Sequence, residues 1–357
     1  MALTESPGQR GYGMKMLAMN ASPAVNGSLL AGLRLWAELC ERGDRVVIAA
    51  PPGSPALARA CDEGFEVLAL DVPYWWSGFE GVARSRWDRR LRAAVRYRGV
   101  VEDLRLRIAE VEADLIHVNS SATILGALVS RSIVPHILTH VRECIDVRTR
   151  VGRAHARAVV QVSDRVVASS QAAAVPIEAV GGGSLTTLVY DGVDATTRDA
   201  SWPARSELRS RWGTGPDAFV VAVVGSYHEI KGQWQVPAVA ARLVARAPQV
   251  VFVMIGMEDV PPSVSQRLRG RLIGAHDRPH SRVLPAFLRE RIRFVGWTDD
   301  VPGALRAVDA AFFPSLVHEG FGRPLVEAGL AARPVVAFDV GATPEIVVDG
   351  TTGRIVP

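Results

Sequence analysis

Cysteine is scarce in this chain. Cys40, Cys61 and Cys144 are odd in number and widely spaced, which excludes a disulfide framework and a zinc knuckle. Long apolar runs are missing too. The longest, 218–225 and 250–257, are strand-sized, far below the roughly 20 residues that cross a bilayer. Met1 to Gly13 carry no hydrophobic stretch, so they read as a flexible extension rather than a secretory leader, and the protein is expected to be cytoplasmic. No Asp-x-Asp run and no His/Cys ligand set is found, which speaks against a bound metal. No Gly-x-Gly-x-x-Gly joins a strand to a helix, and Gly181-Gly-Gly183 precedes a strand instead. That counts against a nicotinamide-dependent oxidoreductase, the rival enzyme class with the same sheet architecture. Lysine is almost absent: Lys15 and Lys231 stand against 39 arginines. This bias fits a GC-rich coding sequence, and a net charge of +4 is too small to indicate nucleic acid. It also makes Lys231, in a loop after a buried strand, conspicuous.

What is present is an ordinary globular composition, 48% hydrophobic and 22% charged over 357 residues, enough for two domains. Short apolar runs alternate with helix-period segments, the pattern of βαβ units and parallel sheets. One series has strands at Met16–Met19, Val46–Ala50, Val67–Leu70, Leu115–Val118, Ile137–Thr139, Val166–Ala168 and Thr187–Val189, with a helix from Ser28 to Arg42. The second has strands at Phe219–Val224, Val250–Ile255, Ile292–Val295, Ala310–Phe313 and Val335–Phe338. Between them the apolar pattern lapses. The expected organisation is an α/β chain of two Rossmann-like domains, 14–195 and 217–357, joined by a linker at 196–216 that includes a short helix. Doubly wound sheets bind ligands at the carboxyl ends of their strands, so the function should lie in the βα loops lining a cleft between the domains.

The strongest signal is His318-Glu-Gly-Phe-Gly-Arg-Pro-Leu-Val-Glu-Ala-Gly329, running from a strand end into a helix. Gly320 and Gly322 permit close backbone approach, and Pro324 suits a first helical turn. A helix start of this kind attracts a diphosphate through exposed N–H groups and the dipole. Glu319 and Glu327 flank that anion site, and carboxylates accept hydrogen bonds from sugar hydroxyls. Taken singly, each is better explained as a helix-capping or solvated glutamate; together with the glycines and the proline, that explanation fails. The second signal is Val223-Val-Gly-Ser-Tyr-His-Glu-Ile-Lys-Gly-Gln233, where the Lys231 ammonium can meet a phosphate as a point charge.

These residues carry a resemblance. Glu-Gly-Phe-Gly-x-Pro-Leu-x-Glu-Ala from Glu319, with 333–345 and Asp349-Gly-Thr-Thr-Gly-Arg-Ile-Val-Pro357, closely resembles the retaining GT-B glycosyltransferases of family 4, and the likeness covers nearly the whole chain. Asn119-Ser-Ser121 and Pro135–Glu143 look like first-domain motifs of members that build bacterial surface polysaccharides. Asp191-Gly-Val-Asp194 sits where the family has Asn-Gly-Val-Asp. The resemblance implies that Glu327 binds the ribose of a nucleoside-diphosphate sugar, Glu319 the transferred sugar, and Lys231 the diphosphate. Gly320, Phe321 and Gly322 then belong to the donor site. His140 would lie near the anomeric carbon, and Gly27 in the first βα loop would admit the donor. Catalysis would rest on His140, Lys231 and Glu319, with no cofactor and no metal.

Three departures accompany it. Ser226 stands where the family commonly has a diphosphate-binding arginine, the first loop 20–28 has one glycine where many members have two, and the closing C-terminal helices are not found, as if the second domain were truncated.

An insertion, Tyr74-Trp-Trp-Ser-Gly-Phe79, precedes nine arginines between Arg84 and Arg107. Two readings stand for it. Aromatics beside a basic helix suit an anionic membrane surface carrying a polyprenol-linked acceptor, at the inner face of the membrane; a solvated helix over buried tryptophans explains the same residues. The expected function is sugar transfer to a glycan, lipid-linked or small-molecule acceptor, with no nucleic-acid partner; the alternative is a non-catalytic sugar-nucleotide-binding or scaffolding module.

Overall fold

The computed structural model describes residues 13–72, 101–193, 204–259, 283–317 and 319–357. The insertion 74–79 and the arginines up to Arg98 lie outside the described residues. The chain divides into two compact units, Met1–Asp191 and Gly192–Pro357.

The first unit is built on β1 (Lys15–Met19), β2 (Arg45–Ala50), β3 (Glu66–Ala69), β4 (Leu115–Val118), β5 (His136–Val141), β6 (Arg165–Ala168) and β7 (Thr186–Leu188). All pair in parallel, in the order β3-β2-β1-β4-β5-β6-β7. Parallel strands are covered on both faces and so read as continuous apolar runs, and β1 has Leu17 and Met19 in one core and Met16 and Ala18 in the other. The helix Gly27–Glu41 covers the second face. It starts where the Asn26 side chain accepts from the Leu29 N–H, and it buries Leu29, Leu33 and Trp36, the mixed four- and three-residue spacing of one helical stripe.

The second unit holds β8 (Phe219–Val224), β9 (Val250–Ile255), β10 (Ile292–Phe294), β11 (Ala310–Phe313), β12 (Val335–Phe338) and β13 (Gly353–Val356). They too are parallel, in the order β10-β9-β8-β11-β12-β13. The helix Arg205–Arg211, in the stretch read as linker, belongs to this unit: Arg209, 7% exposed, donates to the carbonyls of Ala307 and Ala218 and to the Asp309 carboxylate.

In both sheets the strand order reverses at one place, between β1 and β4 and between β8 and β11. A crevice opens at the carboxyl ends of such strands. The loops that follow them, 20–27 and 119–123 in one unit and 225–235 and 314–322 in the other, are the places to look for chemistry. Among the described residues no helix is long and apolar enough to cross a membrane.

Candidate functional site

In the second unit, β8 ends at Gly225 with a φ of +129°, a conformation open to glycine. A Cβ built there would lie 3.3 Å from Lys231 Nζ, so the ammonium rests over bare backbone at the reversal point. The loop is folded about Gln233, 1% exposed. Its amide donates to the carbonyls of Gly225 and Ser226 and accepts from the His228 N–H. Gly232, at φ +65°, approaches the next loop so closely that a Cβ would sit 1.8 Å from the Pro314 carbonyl oxygen. The Leu316 N–H completes the seam by donating to the Ile230 carbonyl at 3.2 Å. The Lys231 loop and the loop carrying Glu319 are therefore one backbone-bonded unit.

Glu319 is half-buried and fixed at main chain and side chain. Its carbonyl accepts from Ala342 N–H at 3.2 Å, beside Gly341, whose φ is +54° and where a Cβ would come within 2.3 Å of that carbonyl oxygen. Its Oε1 accepts from the Ser315 hydroxyl at 2.9 Å. Three residues on, Gly322 at φ +82° begins the helix Arg323–Leu330 with Pro324 in its first turn and no side-chain cap; the Leu325 N–H donates back to the Gly322 carbonyl, which leaves the Gly322 and Arg323 N–H groups to an outside acceptor. Gly320 and Phe321 are buried beside it. Glu327, 7% exposed, lies one turn in and accepts from Arg323 Nη2 at 3.2 Å. Lys231, Glu319, Gly320, Phe321, Gly322 and Glu327 thus share the carboxyl edge of β8 and β11.

The first unit holds a buried polar cluster at the ends of β4 and β5. The Arg142 guanidinium donates to both Asp191 carboxylate oxygens, to Asn119 Oδ1 at 3.2 Å and to His140 Nδ1 at 3.2 Å. Asn119 in turn donates to the Ser28 carbonyl, tying the cluster to the helix that begins with exposed Gly27. A guanidinium can only donate, so His140 Nδ1 holds a lone pair and Nε2 carries the proton of the neutral ring. The same logic fixes His117, whose Nδ1 accepts from the Trp36 indole N–H at 2.9 Å. The two imidazoles lie 5.7 Å apart, centroid to centroid. Burial, then the Arg142 charge, lowers the His117 pKa to about 3, and the same causes with His117 hold His140 well below its ordinary value. His140 Nε2 lies 3.9 Å from Asp191 Oδ1 and makes no hydrogen bond among the described residues.

Behind this cluster Glu143 accepts from the Ser120 and Ser121 hydroxyls and from the Ser121 and Arg142 N–H groups. Burial pushes its pKa up against these bonds.

The expected site residues thus fall into two groups, one per unit: Gly27 and His140 in the first, the other six in the second. Arg142, Glu143 and Asp191, within or beside the quoted motifs, had no role assigned from sequence. Their partners on other elements are 22 to 49 positions away, and a lone Arg-Glu pair after an apolar run looks like the solvent end of a strand. Gly341, which packs on Glu319, was missed for the same reason, whereas Ser315 lies only four positions from Glu319 and was missed because a loop has no spacing rule to bring the two together. Among the described residues no group of three His, Cys, Asp or Glu side chains could hold a metal ion.

Two family models match this chain: "Glycosyl transferase 4-like domain" over residues 31–189 and "Glycosyl transferases group 1" over residues 218–357. The chain is similar to the phosphatidyl-myo-inositol mannosyltransferase of Mycolicibacterium smegmatis, 34% identical over 38% of this chain and 32% of that protein. It is also similar to the alpha-D-kanosaminyltransferase of Streptomyces kanamyceticus, 31% identical over 45% of this chain and 38% of that one. The aligned part spans about a third of the length of these curated relatives. Among solved structures, Anabaena HepE in complex with UDP and glucose superposes with a TM-score of 0.73 at 21% identity, covering 96% of this chain and 85% of that one. WaaG, a glycosyltransferase involved in lipopolysaccharide biosynthesis, gives 0.64 at 15% identity, with 96% and 86% covered. At these identities the structures establish the fold, the two-sheet GT-B architecture.

Proposed function

This chain belongs to the group 1 glycosyltransferases, and from that premise we propose that it transfers a sugar from a nucleoside-diphosphate sugar to an acceptor hydroxyl, with retention at the anomeric carbon. One observation carries the reading: Lys231, the uncapped helix start at Gly322, and the carboxylates Glu319 and Glu327 share one edge of one sheet, on loops bonded to each other. A diphosphate leaving group needs its growing negative charge stabilised in place, and a fixed ammonium with helix N–H groups does this without reorganisation. Glu327 accepts the ribose hydroxyls and Glu319 those of the sugar. In the first domain, His140 contributes a neutral N–H rather than a base at Nε2. The mannosyl and kanosaminyl relatives and the UDP and glucose bound to HepE support a sugar-nucleotide donor. A glycan, lipid-linked or small-molecule acceptor fits the same relatives, and the basic insertion supports an acceptor presented at an anionic membrane surface.

Ser226 favours a second reading. With no arginine there the leaving group is held more weakly, as in a module that binds donors without turning them over. Incubation with UDP-, GDP-, ADP- and dTDP-sugars, following binding and sugar release, separates the two. Release or transfer from one donor supports the enzyme, binding without release the module, and no binding by any of them refutes both.

A further inference from the structure

We propose that Ser315 is a positioning residue, the group that holds Glu319 in the orientation needed for the donor's sugar. The proposal rests on the donor reading of Glu319 and deepens it.

Ser315 is 1% exposed, and its hydroxyl faces two acceptors, Glu319 Oε1 at 2.9 Å and the Ile230 carbonyl at 3.3 Å. A hydroxyl has one proton to give. The Ile230 carbonyl already accepts from the Leu316 N–H, so the proton is free to serve the carboxylate, the closer and charged acceptor. The main chain of Glu319 is separately held by Ala342 N–H and the close approach of Gly341. The remaining freedom of this residue is in its side-chain torsions, and Ser315 removes it. With Oε1 engaged, Oε2 has no hydrogen bond among the described residues and remains for a ligand hydroxyl. Holding an acceptor in the bound geometry beforehand spares the entropy of ordering it on binding. Ile230 precedes Lys231 in sequence, and the Leu316 N–H that donates to its carbonyl keeps the two charged groups on one frame.

The test compares two ligands that differ only by the sugar. UDP against UDP-glucose, and GDP against GDP-mannose, are titrated calorimetrically into the full chain carrying Ser315→Ala, Ser315→Cys, Ser315→Thr, Glu319→Ala, or Ser315→Ala with Glu319→Ala. Ser315→Cys keeps the volume while weakening the donor, which answers for any failure of the alanine variant to fold. The expected result is a loss of about tenfold in affinity for the sugar nucleotide in the Ala and Cys variants, unchanged affinity for the diphosphate, recovery in Ser315→Thr, and no further loss when Ser315→Ala is added to Glu319→Ala. Equal weakening of both ligands, or additive losses in the double variant, would mark Ser315 as merely structural and overturn the proposal. A Glu319→Ala loss without a Ser315 effect refutes the proposal alone. An unaltered sugar increment in Glu319→Ala, or no binding of any probe to the wild type, refutes the donor reading and the proposal with it.

Discussion

Glu327 is nearly enclosed at 7% exposure, yet it is a carboxylate on a helix whose other inward residues, Leu325 and Ala328, are apolar. A buried charge is kept only where it has partners, and Arg323 supplies one. Replacing Glu327 by alanine should weaken donor binding by roughly 1.5–3 kcal/mol, the worth of a hydrogen bond to a charged group, measured by calorimetry. Lys231→Ala should act differently. Its ammonium makes no ion pair among the described residues, so transfer should slow while the melting temperature stays close to the wild type. A large melting shift with normal turnover would make the lysine structural.

The buried imidazoles carry a pH signature. His117 and His155 are held neutral by burial, with pKa values of about 3 and about 4 against an ordinary 6.5. Below pH 6.5 the unfolded chain takes up protons on these rings and the folded chain does not, so stability is full above 6.5 and falls as pH drops toward 3. Thermal unfolding between pH 7 and 4 should show this slope, and His155→Gln should reduce it. A stability flat across that window would contradict the burial of these rings.

At the scale of elements, two glycines should behave in opposite ways. Gly232 has no room for a Cβ and a positive φ, so Gly232→Ala must part the Lys231 loop from Pro314. We expect destabilisation by more than about 1 kcal/mol and loss of donor binding. Gly329 is exposed in the helix Arg323–Leu330 with nothing within 4 Å of its would-be Cβ, and Gly329→Ala should stabilise by about 0.5–1 kcal/mol. Chemical denaturation of the two variants measures both. The strands were legible at this scale because each is a contiguous apolar run: β8, β9, β11 and β12 begin and end where the hydrophobicity does. The helix Arg205–Arg211 was legible as a helix, but its membership in the second unit was not. Arg209 is a charged residue in a polar stretch, and its burial depends on Asp309, 100 positions away.

For the whole molecule, the basic insertion makes a testable claim about location. If Tyr74–Phe79 and the arginines from Arg84 to Arg107 form a docking surface, anionic liposomes should capture the protein and neutral ones should not. Each basic residue near such a surface contributes about 1 kcal/mol, screened over roughly 8–10 Å at ordinary salt. Capture should therefore fade as salt rises, and Trp75→Ser with Trp76→Ser should remove only the salt-independent part. Equal capture by neutral vesicles would contradict charge-driven docking, and no capture by either would favour an acceptor free in solution. In the described part of this region Arg105 and Leu106 are exposed and Leu104 and Ile108 are buried, a pattern common to a docking helix and a solvated one, so the liposome measurement is what separates them.

Periodicity and local chemistry are properties of neighbouring residues, so the sequence alone determined two parallel α/β domains, the glycine and proline pattern of the helix start after β11, and the two glutamates that flank it. It also singled out Lys231, through the rarity of lysine elsewhere. Only the tertiary structure decided which of these residues meet. That Lys231 and Glu319 ride on one frame depends on the Leu316 N–H, in the loop after β11, reaching the Ile230 carbonyl in the loop after β8. That His140 carries its proton on Nε2 depends on Arg142, itself held by Asp191 49 positions away. A hydrogen bond between distant parts of the chain leaves no periodicity in either part, because its geometry is set by the strand order that brings β8 beside β11 and β4 beside β5.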